Sequence, residues 1–159
     1  MVTMVPPLLT RNAASLMSRS VLLIPREMSL PGAAHLLAQA RVSGAPVVDE
    51  DGRCIGVIST TDFLHFAEKG KIPIHAKQDS VHSWTQILDA EGESEGCVED
   101  FMNHDPVTVT PDTPVGAIAR MMIDAHIHRV IVVNEKNSPV GIVSSTDILG
   151  AVAQADTHW

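Results

Sequence analysis

One seven-residue motif occurs twice in the chain, and the spacing of its copies constrains the fold more than any other feature. Residues 56–62 (GVISTTD) return as residues 141–147 (GIVSSTD), an offset of 85 residues. The same offset aligns residues 16–67 with residues 101–152 without a gap, and 11 of these 52 positions are identical. A fixed period of this kind is typical of a supersecondary unit that is built twice. Two such units can pack face to face and form a pair of related clefts.

Size and composition favour two copies that share one aliphatic core. The chain has 159 residues, so each copy has about 55, which is marginal for a domain that folds alone. Hydrophobic residues make up 45% of the sequence and aromatic residues only 3%, and Tyr is absent. The core must therefore consist of Val, Ile, Leu, Met and Ala.

Charge and hydropathy argue against two classes of partner. The formal net charge is −8 and the pI is near 5.3, whereas nucleic-acid binding needs a basic face. No run approaches the roughly 18 apolar residues of a membrane span, and residues 1–11 lack the pattern of a secretion signal. Cys54 and Cys97 are too few for a disulfide framework. We therefore expect a soluble cytoplasmic protein that binds neither nucleic acid nor membranes.

Hydrophobic periodicity and turn signals predict an α+β fold in which both copies have the order β-α-β-β-α after an opening helical turn. Ser29 is expected to cap the first long helix. We expect the copies to pack as a pseudo-two-fold pair with small mixed sheets. The predicted elements are 13–17, 22–24, 30–42, 45–49, 54–59 and 61–68 in the first copy, and 98–102, 107–109, 114–125, 130–134, 140–144 and 146–154 in the second.

These elements predict a domain organisation with one long insertion. Residues 1–12 form an irregular lead, 13–68 the first repeat, 69–97 an insertion or linker, 98–154 the second repeat and 155–159 a tail. The insertion is polar and contains a Gly/Glu-rich run, but residues 81–88 fit a short helix. A connection of this length is uncommon in a compact domain. It is either a partly ordered surface insertion or a tether.

The repeated Ser-x-x-Asp motif has two interpretations. A serine at a helix start with an acidic residue three positions later is a capping box, which satisfies backbone N–H groups. The same helix start is also an anion site, where a serine hydroxyl adds a donor and a carboxylate can accept the two hydroxyls of a ribose. Gly56 and Gly141 precede the two motifs, and a missing side chain there lets a ligand or a neighbouring backbone approach.

The element order, the motif and the two openings, residues 16–17 and 98–102, resemble a tandem CBS domain, the Bateman module. The resemblance covers about residues 13–67 and 98–153. Residues 41–49 and 127–133 further resemble segments of the regulatory gamma subunit of AMP-activated protein kinase.

In that family the two copies form clefts that hold adenosine ligands, so the resemblance implies where a ligand would bind. Asp62 and Asp147 would bind ribose. The hydroxyl side chains that would lie near phosphate or ribose are those of Ser59, Thr61, Ser144 and Thr146. The residues that would line the base pockets are Gly44, Ala45, Pro46, Val130 and Ile131.

His128 and Arg129 form a basic pair that is present in one copy only. The guanidinium of Arg129 suits a phosphate, and the kinase subunit has a His-Arg pair in contact with phosphates at this place. Ser43 and Gly44 stand at these positions in the first copy, so we expect phosphate to be recognised asymmetrically. The alternative is a surface arginine that pairs with a nearby carboxylate.

The sequence gives little support for metal binding or catalysis. His126 and His128 are two residues apart, but no third ligand has a suggestive spacing. No nucleophile elbow, phosphate-binding loop or zinc-protease motif is present. We expect no enzyme activity and no required cofactor.

The predicted function is a regulatory, ligand-sensing module. It would bind an adenine nucleotide or related adenosyl compound (AMP, ADP, ATP or S-adenosylmethionine) between its repeats, form a homodimer and act on an unidentified regulated protein. The alternative is a structural or protein-interaction module without a small-molecule ligand.

Overall fold

Each sequence repeat forms a three-stranded sheet with helices. The computed structural model describes residues 8–68 and 96–155. The predicted insertion, with its short helix at 81–88, lies almost entirely outside these ranges. In chain order the described elements are a 3-10 turn (Leu8–Thr10), α1 (Ala13–Leu16), β1 (Ile24–Pro25), α2 (Leu30–Ala40), β2 (Gly44–Val48), β3 (Cys54–Ser59), α3 (Thr60–Glu68), α4 (Val98–Phe101), β4 (Thr108–Val109), α5 (Val115–Ala125), β5 (Arg129–Val133), β6 (Pro139–Ser144) and α6 (Ser145–Ala155).

The two sheets have the same topology and register. Their strand orders are β1-β2-β3 and β4-β5-β6. In each sheet the first strand is parallel to the second and the second is antiparallel to the third. The register shifts at equivalent points, between Val47 and Val48 and between Val132 and Val133. The predicted α+β fold with small mixed sheets is therefore confirmed.

The described residues divide into two compact units that exchange their opening helices. The first-repeat unit comprises residues 22–68 and 96–106, and the second-repeat unit comprises residues 8–21 and 107–155. The helix α1, which opens the first sequence repeat, therefore packs in the second-repeat unit. Conversely, α4 opens the second sequence repeat and packs in the first-repeat unit. Each sheet is thus completed by a segment from the other half of the sequence.

Backbone hydrogen bonds fix both exchanged segments. Ser18 and Ile142 exchange two of them (2.9 and 3.0 Å) beside α1. Asn103 and Val57 exchange two (2.9 and 3.0 Å) beside α4, and Val98 N–H donates to the carbonyl of Met28 (2.8 Å). Paired backbone groups need no water, so these segments can lie against a core.

Each unit has its own apolar core, to which the exchanged helix contributes a fully buried residue. Val98 of α4 and Ala13 of α1 are both 0% exposed. Burying a valine side chain contributes about 1.5–3 kcal/mol, so α4 is more than a surface appendage. The largest other fully buried residues of the two cores are Ile24, Leu30, Leu37, Val47 and Ile58 in the first-repeat unit, and Ile118, Val130, Val132 and Val143 in the second. The first-repeat core also contains Phe63, with Phe66 and Phe101 packed against it, so the expectation of a purely aliphatic core is wrong for this unit.

Local sequence explains where the long helices begin and end. The Ser29 hydroxyl accepts a hydrogen bond from Gly32 N–H (3.1 Å), which confirms the predicted cap of α2. That helix ends at Ala40 instead of the predicted 42, because Arg41 adopts the left-handed conformation with φ 55°. In α5 the equivalent residue, His126, has φ 53° and terminates the helix in the same way. Among the described residues, no helix has both the length and the apolar character needed to cross a bilayer.

Candidate functional site

The Ser-x-x-Asp motif of the first-repeat unit lies where β3 ends and α3 begins. At its Oδ2 atom Asp62 accepts hydrogen bonds from the Ser59 backbone N–H (2.8 Å) and the Ser59 hydroxyl (3.2 Å). Both residues are half-buried. The carboxylate therefore stands in the first turn of a helix, where the helix dipole stabilises a negative charge.

The equivalent motif of the second-repeat unit forms a complete capping box. Ser144 N–H donates to Oδ2 of Asp147 (2.8 Å), and Asp147 N–H donates back to the Ser144 hydroxyl (3.1 Å). The two carboxylates are equivalent, but the hydroxyls differ, because Ser59 donates to its carboxylate whereas Ser144 accepts from the backbone. The capping box predicted by the first interpretation is therefore complete in the second-repeat unit. Among the described residues of the first-repeat unit, only its Asp-to-N–H half is present.

Capping engages only one oxygen of each carboxylate. Among the described residues, every hydrogen bond to the side chains of Asp62 and Asp147 ends on Oδ2, and Oδ1 accepts none. Thr61 and Thr146, which precede the two aspartates, are exposed. Each helix start therefore has one carboxylate oxygen that the cap does not use and one exposed threonine next to it.

Strand pairing brings the predicted phosphate positions next to the motifs. Gly44 pairs with Ser59, and Arg129 pairs with Ser144. In addition, Thr60 N–H donates to the carbonyl of Ser43 (2.9 Å), and Ser145 N–H donates to the carbonyl of His128 (2.8 Å). The structure thus assembles equivalent sites, one in each unit, from the start of a central strand and the start of the final helix.

The two sites differ in charge. His128 and Arg129 are exposed beside the motif of the second-repeat unit, whereas Ser43 and Gly44 occupy these positions in the first. A side chain on Gly44 would be crowded, because its Cβ would lie 3.3 Å from the carbonyl oxygen of Ile58. In the folded chain the basic pair therefore lies beside only one of the two motifs, as the sequence predicts.

The residues expected to line the base are interior. Ala45 and Val130 belong to the cores of their units, with 2% and 1% exposure. Pro46 and Ile131, on the opposite faces of their strands, are buried as well. Within these units, the side chains of Ala45 and Val130 are committed to core packing.

Gly56 and Gly141 admit methionines from the exchanged segments. A Cβ at Gly56 would lie 2.5 Å from Sδ of Met102 and 2.7 Å from the carbonyl oxygen of Asn103. A Cβ at Gly141 would lie 2.8 Å from Cγ of Met17. The close approach expected at these glycines does occur, and the approaching atoms belong to Met17, Met102 and Asn103. Met17 and Met102 are equivalent under the repeat offset, but this identity does not tell which glycine each methionine meets.

The second-repeat unit also has an open depression that the sequence did not indicate. It has a volume of about 640 Å³ and lies at the end of β5 remote from Arg129. A hydrogen bond from the Thr110 hydroxyl lowers the pKa of Asp112 at its rim. Asn134, Glu135 and Lys136 also line it. In the described part of the chain, no three His, Cys, Asp or Glu residues are grouped so that they could hold a metal ion.

Comparison with known families identifies the repeat. The family model of the CBS domain matches residues 13–69 and 98–154, which is more than half of the chain. The chain belongs to the CBS domain family. The family predicted from the sequence is therefore confirmed, and the Ser-x-x-Asp sites are parts of two CBS repeats. The matched stretches include α1 and α4, so each CBS repeat as a sequence contributes to both units.

Relatives of this CBS pair include a subunit of a protein kinase and two proteins solved with bound ligands. The gamma-3 subunit of 5'-AMP-activated protein kinase from Sus scrofa is 28% identical over 120 residues, which are 76% of this chain. The alignment spans only 21% of that subunit's length. Two solved structures share the fold. The CBS domain pair of protein MJ0100, in complex with 5'-methylthioadenosine and S-adenosyl-L-methionine, has a TM-score of 0.72 at 23% identity, covering 91% of this chain and 98% of that one. CBSX2 from Arabidopsis thaliana, in complex with AMP, has a TM-score of 0.71 at 22% identity, covering 92% and 98%.

Proposed function

We propose that this CBS pair is a regulatory, ligand-sensing module that binds an adenine nucleotide or a related adenosyl compound at its two Ser-x-x-Asp sites. One observation carries the proposal. Asp62 and Asp147 each cap a helix through Oδ2 and keep Oδ1 without a hydrogen bond from the described residues. A ribose hydroxyl can donate to that oxygen, so capping and ligand binding are compatible.

The surroundings of each carboxylate suit the rest of such a ligand. Thr61 and Thr146 add exposed hydroxyls in the first turn of the helix, where backbone N–H groups favour an anionic group. Arg129 adds a planar fork of donors for a phosphate in the second-repeat unit. The ligands seen in the two related structures, AMP in one and 5'-methylthioadenosine with S-adenosylmethionine in the other, have the adenosine part in common. AMP, ADP, ATP and S-adenosylmethionine are therefore the compounds to test.

Regulation would follow from differential binding. A ligand that binds only the folded, site-competent state shifts the population toward that state. At a ligand concentration of 100 times Kd this contributes about 2.7 kcal/mol. A regulated protein that recognises the same state would then bind more tightly, with no chemistry in the module itself. We accordingly propose a module without enzyme activity or a required cofactor.

We also propose that the module is a homodimer in the cytoplasm. Large apolar side chains are exposed on three of its helices, and Leu64 of α3 and Leu149 of α6 are equivalent in the repeat. Leu149 is 66% exposed. A second copy would remove this apolar surface from water. The other exposed apolar residues of the helices offered for the dimer are Met121 and Ile123 of α5 and Val152 of α6.

Cys54 and Cys97 remain thiols, which suits a reducing compartment such as the cytoplasm.

A structural or protein-interaction module without a ligand is the second candidate, and the complete capping box at Ser144 and Asp147 favours it. In that case the motif only starts a helix, and substitution would change stability alone. The cost of losing such a cap is about 0.5–2 kcal/mol.

Isothermal titration calorimetry with the four adenosyl compounds distinguishes the two candidates. We expect binding by the full chain, and a large loss of affinity in Asp62→Ala or Asp147→Ala at the corresponding site. Ser29→Ala is the matched control, because it removes a cap from α2 without touching either motif. It should lower the melting temperature and leave affinity unchanged. No heat with any of the four compounds, in a folded protein, would reject the ligand-binding proposal and favour the structural one.

A further inference from the structure

Arg41 has a backbone conformation that arginine rarely adopts. With φ 55° and ψ 39° it lies in the left-handed region, at the end of α2. Its N–H bonds to the carbonyl of Ala38 (3.1 Å), and Val42 N–H reaches the carbonyl of Leu37 (3.1 Å). Glycine is the favoured residue at such a helix end. Asn137, in the β5–β6 turn, also has a positive φ, but asparagine adopts the left-handed conformation more readily than arginine does.

The position of Arg41 connects it with the site of the first-repeat unit. It is two residues before Ser43, whose carbonyl accepts a hydrogen bond from Thr60 N–H at the start of α3 (2.9 Å). Two residues of chain span at most about 7 Å. An arginine side chain therefore starts close to the helix N-terminus that holds Asp62. This site is the one in which Ser43 and Gly44 replace the basic pair of the other unit.

The guanidinium of Arg41 is also available to bind an anion. Arg41 is exposed, and among the described residues it forms no ion pair. Arg26 and Arg53, in the same unit, both pair with carboxylates. Arg41 is thus the one arginine among the described residues of this unit that has no carboxylate partner.

We propose that Arg41 binds the phosphate of a nucleotide held at the first-repeat site and makes that site selective for phosphorylated adenosine compounds. The inference rests on the proposed function. In the second-repeat unit the phosphate-binding cation comes from β5, at Arg129. In the first-repeat unit it comes from the end of α2, because Gly44 leaves the equivalent strand position without a side chain. His126, the equivalent of Arg41, has the same backbone conformation and is exposed.

Substitution by glycine separates a phosphate ligand from a residue that only ends a helix. We would titrate the full chain with AMP and with adenosine, in an Arg129→Ala background, so that binding that depends on phosphate reports on the first-repeat site. Arg41→Gly should raise the melting temperature, because glycine suits φ 55°. The same variant should weaken AMP binding about tenfold to a hundredfold, the effect of losing a charge-assisted hydrogen bond, and leave adenosine binding unchanged.

Two further variants complete the test. Arg41→Lys keeps the charge and should retain part of the AMP affinity, whereas Arg53→Ala removes the same charge from the same unit and should retain all of it. Unchanged AMP affinity in Arg41→Gly, or an equal loss for AMP and adenosine, would overturn the inference while the proposed function stands. If the protein with its native arginines binds neither compound, the proposed function fails, and the inference fails with it.

Discussion

Met102 packs directly against Gly56. A Cβ at Gly56 would lie 2.5 Å from the methionine sulfur and 2.7 Å from the carbonyl oxygen of Asn103, the next residue. The sulfur is on a flexible side chain that can move, but the carbonyl belongs to a backbone that exchanges two hydrogen bonds with Val57. This contact holds the segment after α4 on the sheet of the other sequence repeat. Gly56 therefore leaves the space that this segment occupies.

Gly56→Ala should destabilise the protein by about 1–3 kcal/mol, the usual cost of overpacking a close-packed interior. Gly141→Ala should cost less, because its Cβ would meet only side-chain atoms of Met17. Urea unfolding monitored by circular dichroism measures both. Equal stability of Gly56→Ala and the unmodified protein would contradict the packing described here.

Gly150 provides a matched control. It lies inside α6, where an added Cβ would meet nothing within 4 Å. Gly150→Ala should stabilise the protein by up to about 1 kcal/mol, since alanine is the better helix former. Replacing glycine by alanine is thus expected to lower the free energy of unfolding at Gly56 and to raise it at Gly150. This contrast excludes a general effect of replacing glycine.

Much of the fold was predictable because its signals are local. The Ser29 cap, the turns and the aliphatic strands fix β2, β3 and α2 to within one or two residues. The exchange of α1 and α4 was not predictable, because residues 13–16 form a helical turn whichever sheet they pack on. That choice is made by distant contacts such as Met17 with Gly141.

The arrangement of residues around each Ser-x-x-Asp motif was predictable for a related reason. In an antiparallel pair, the start of one strand lies beside the end of the next, so Gly44 must meet Ser59 once the hairpin forms. The burial of Ala45 and Val130, and the left-handed conformation of Arg41, depend on packing and helix-end geometry. No residue pattern in the sequence records these directly.

The two cysteines should differ strongly in reactivity. Cys54 is 5% exposed, and burial raises the pKa of its thiol, so little thiolate forms and little reagent reaches it. Cys97 is only half-buried, before the first residue of α4. Iodoacetamide at pH 8 should label Cys97 in the folded protein and label both cysteines in urea, as mass spectrometry would show. With Cys97→Ser, the folded protein should take up almost no label. Labelling of both thiols at equal rates would show that the core around Cys54 opens readily.

Asp49 should make the protein sensitive to acid. The Arg53 backbone N–H donates to its carboxylate (2.9 Å), and this bond, with help from the Arg53 side chain and Asp51 N–H, holds the pKa of Asp49 below its ordinary value of 3.8. The folded state therefore binds this proton less readily than the unfolded state does. The resulting stability is fully present above the ordinary pKa and is lost as the pH falls through the lowered pKa of the folded state.

The second repeat offers a natural control for Asp49. Asn134 is its equivalent, and its Oδ1 accepts hydrogen bonds from Lys136 and Ser138 N–H (both 3.0 Å) in the same turn geometry without a charge. Asp49→Asn should keep the turn and flatten the fall in unfolding free energy below about pH 4. Asn134→Asp should steepen that fall. Urea titrations between pH 3 and 7 give both slopes, and parallel curves for all three proteins would remove Asp49 as a cause of acid sensitivity.

The oligomeric state should depend on the exposed face of α6. Leu149 is 66% exposed and Val152, one turn later, is 45% exposed, so together they form an apolar stripe on an otherwise acidic protein. Leu149→Glu places a charge in that stripe, and the cost of desolvating it should oppose association. We expect sedimentation equilibrium to give the mass of two chains for the unmodified protein and of one chain for Leu149→Glu. Leu23→Glu, at a 41% exposed leucine outside the helices, should remain a dimer. A single-chain mass for the unmodified protein at every concentration would refute the proposed dimer without affecting the ligand sites, since neither Leu149 nor Val152 belongs to the Ser-x-x-Asp motif.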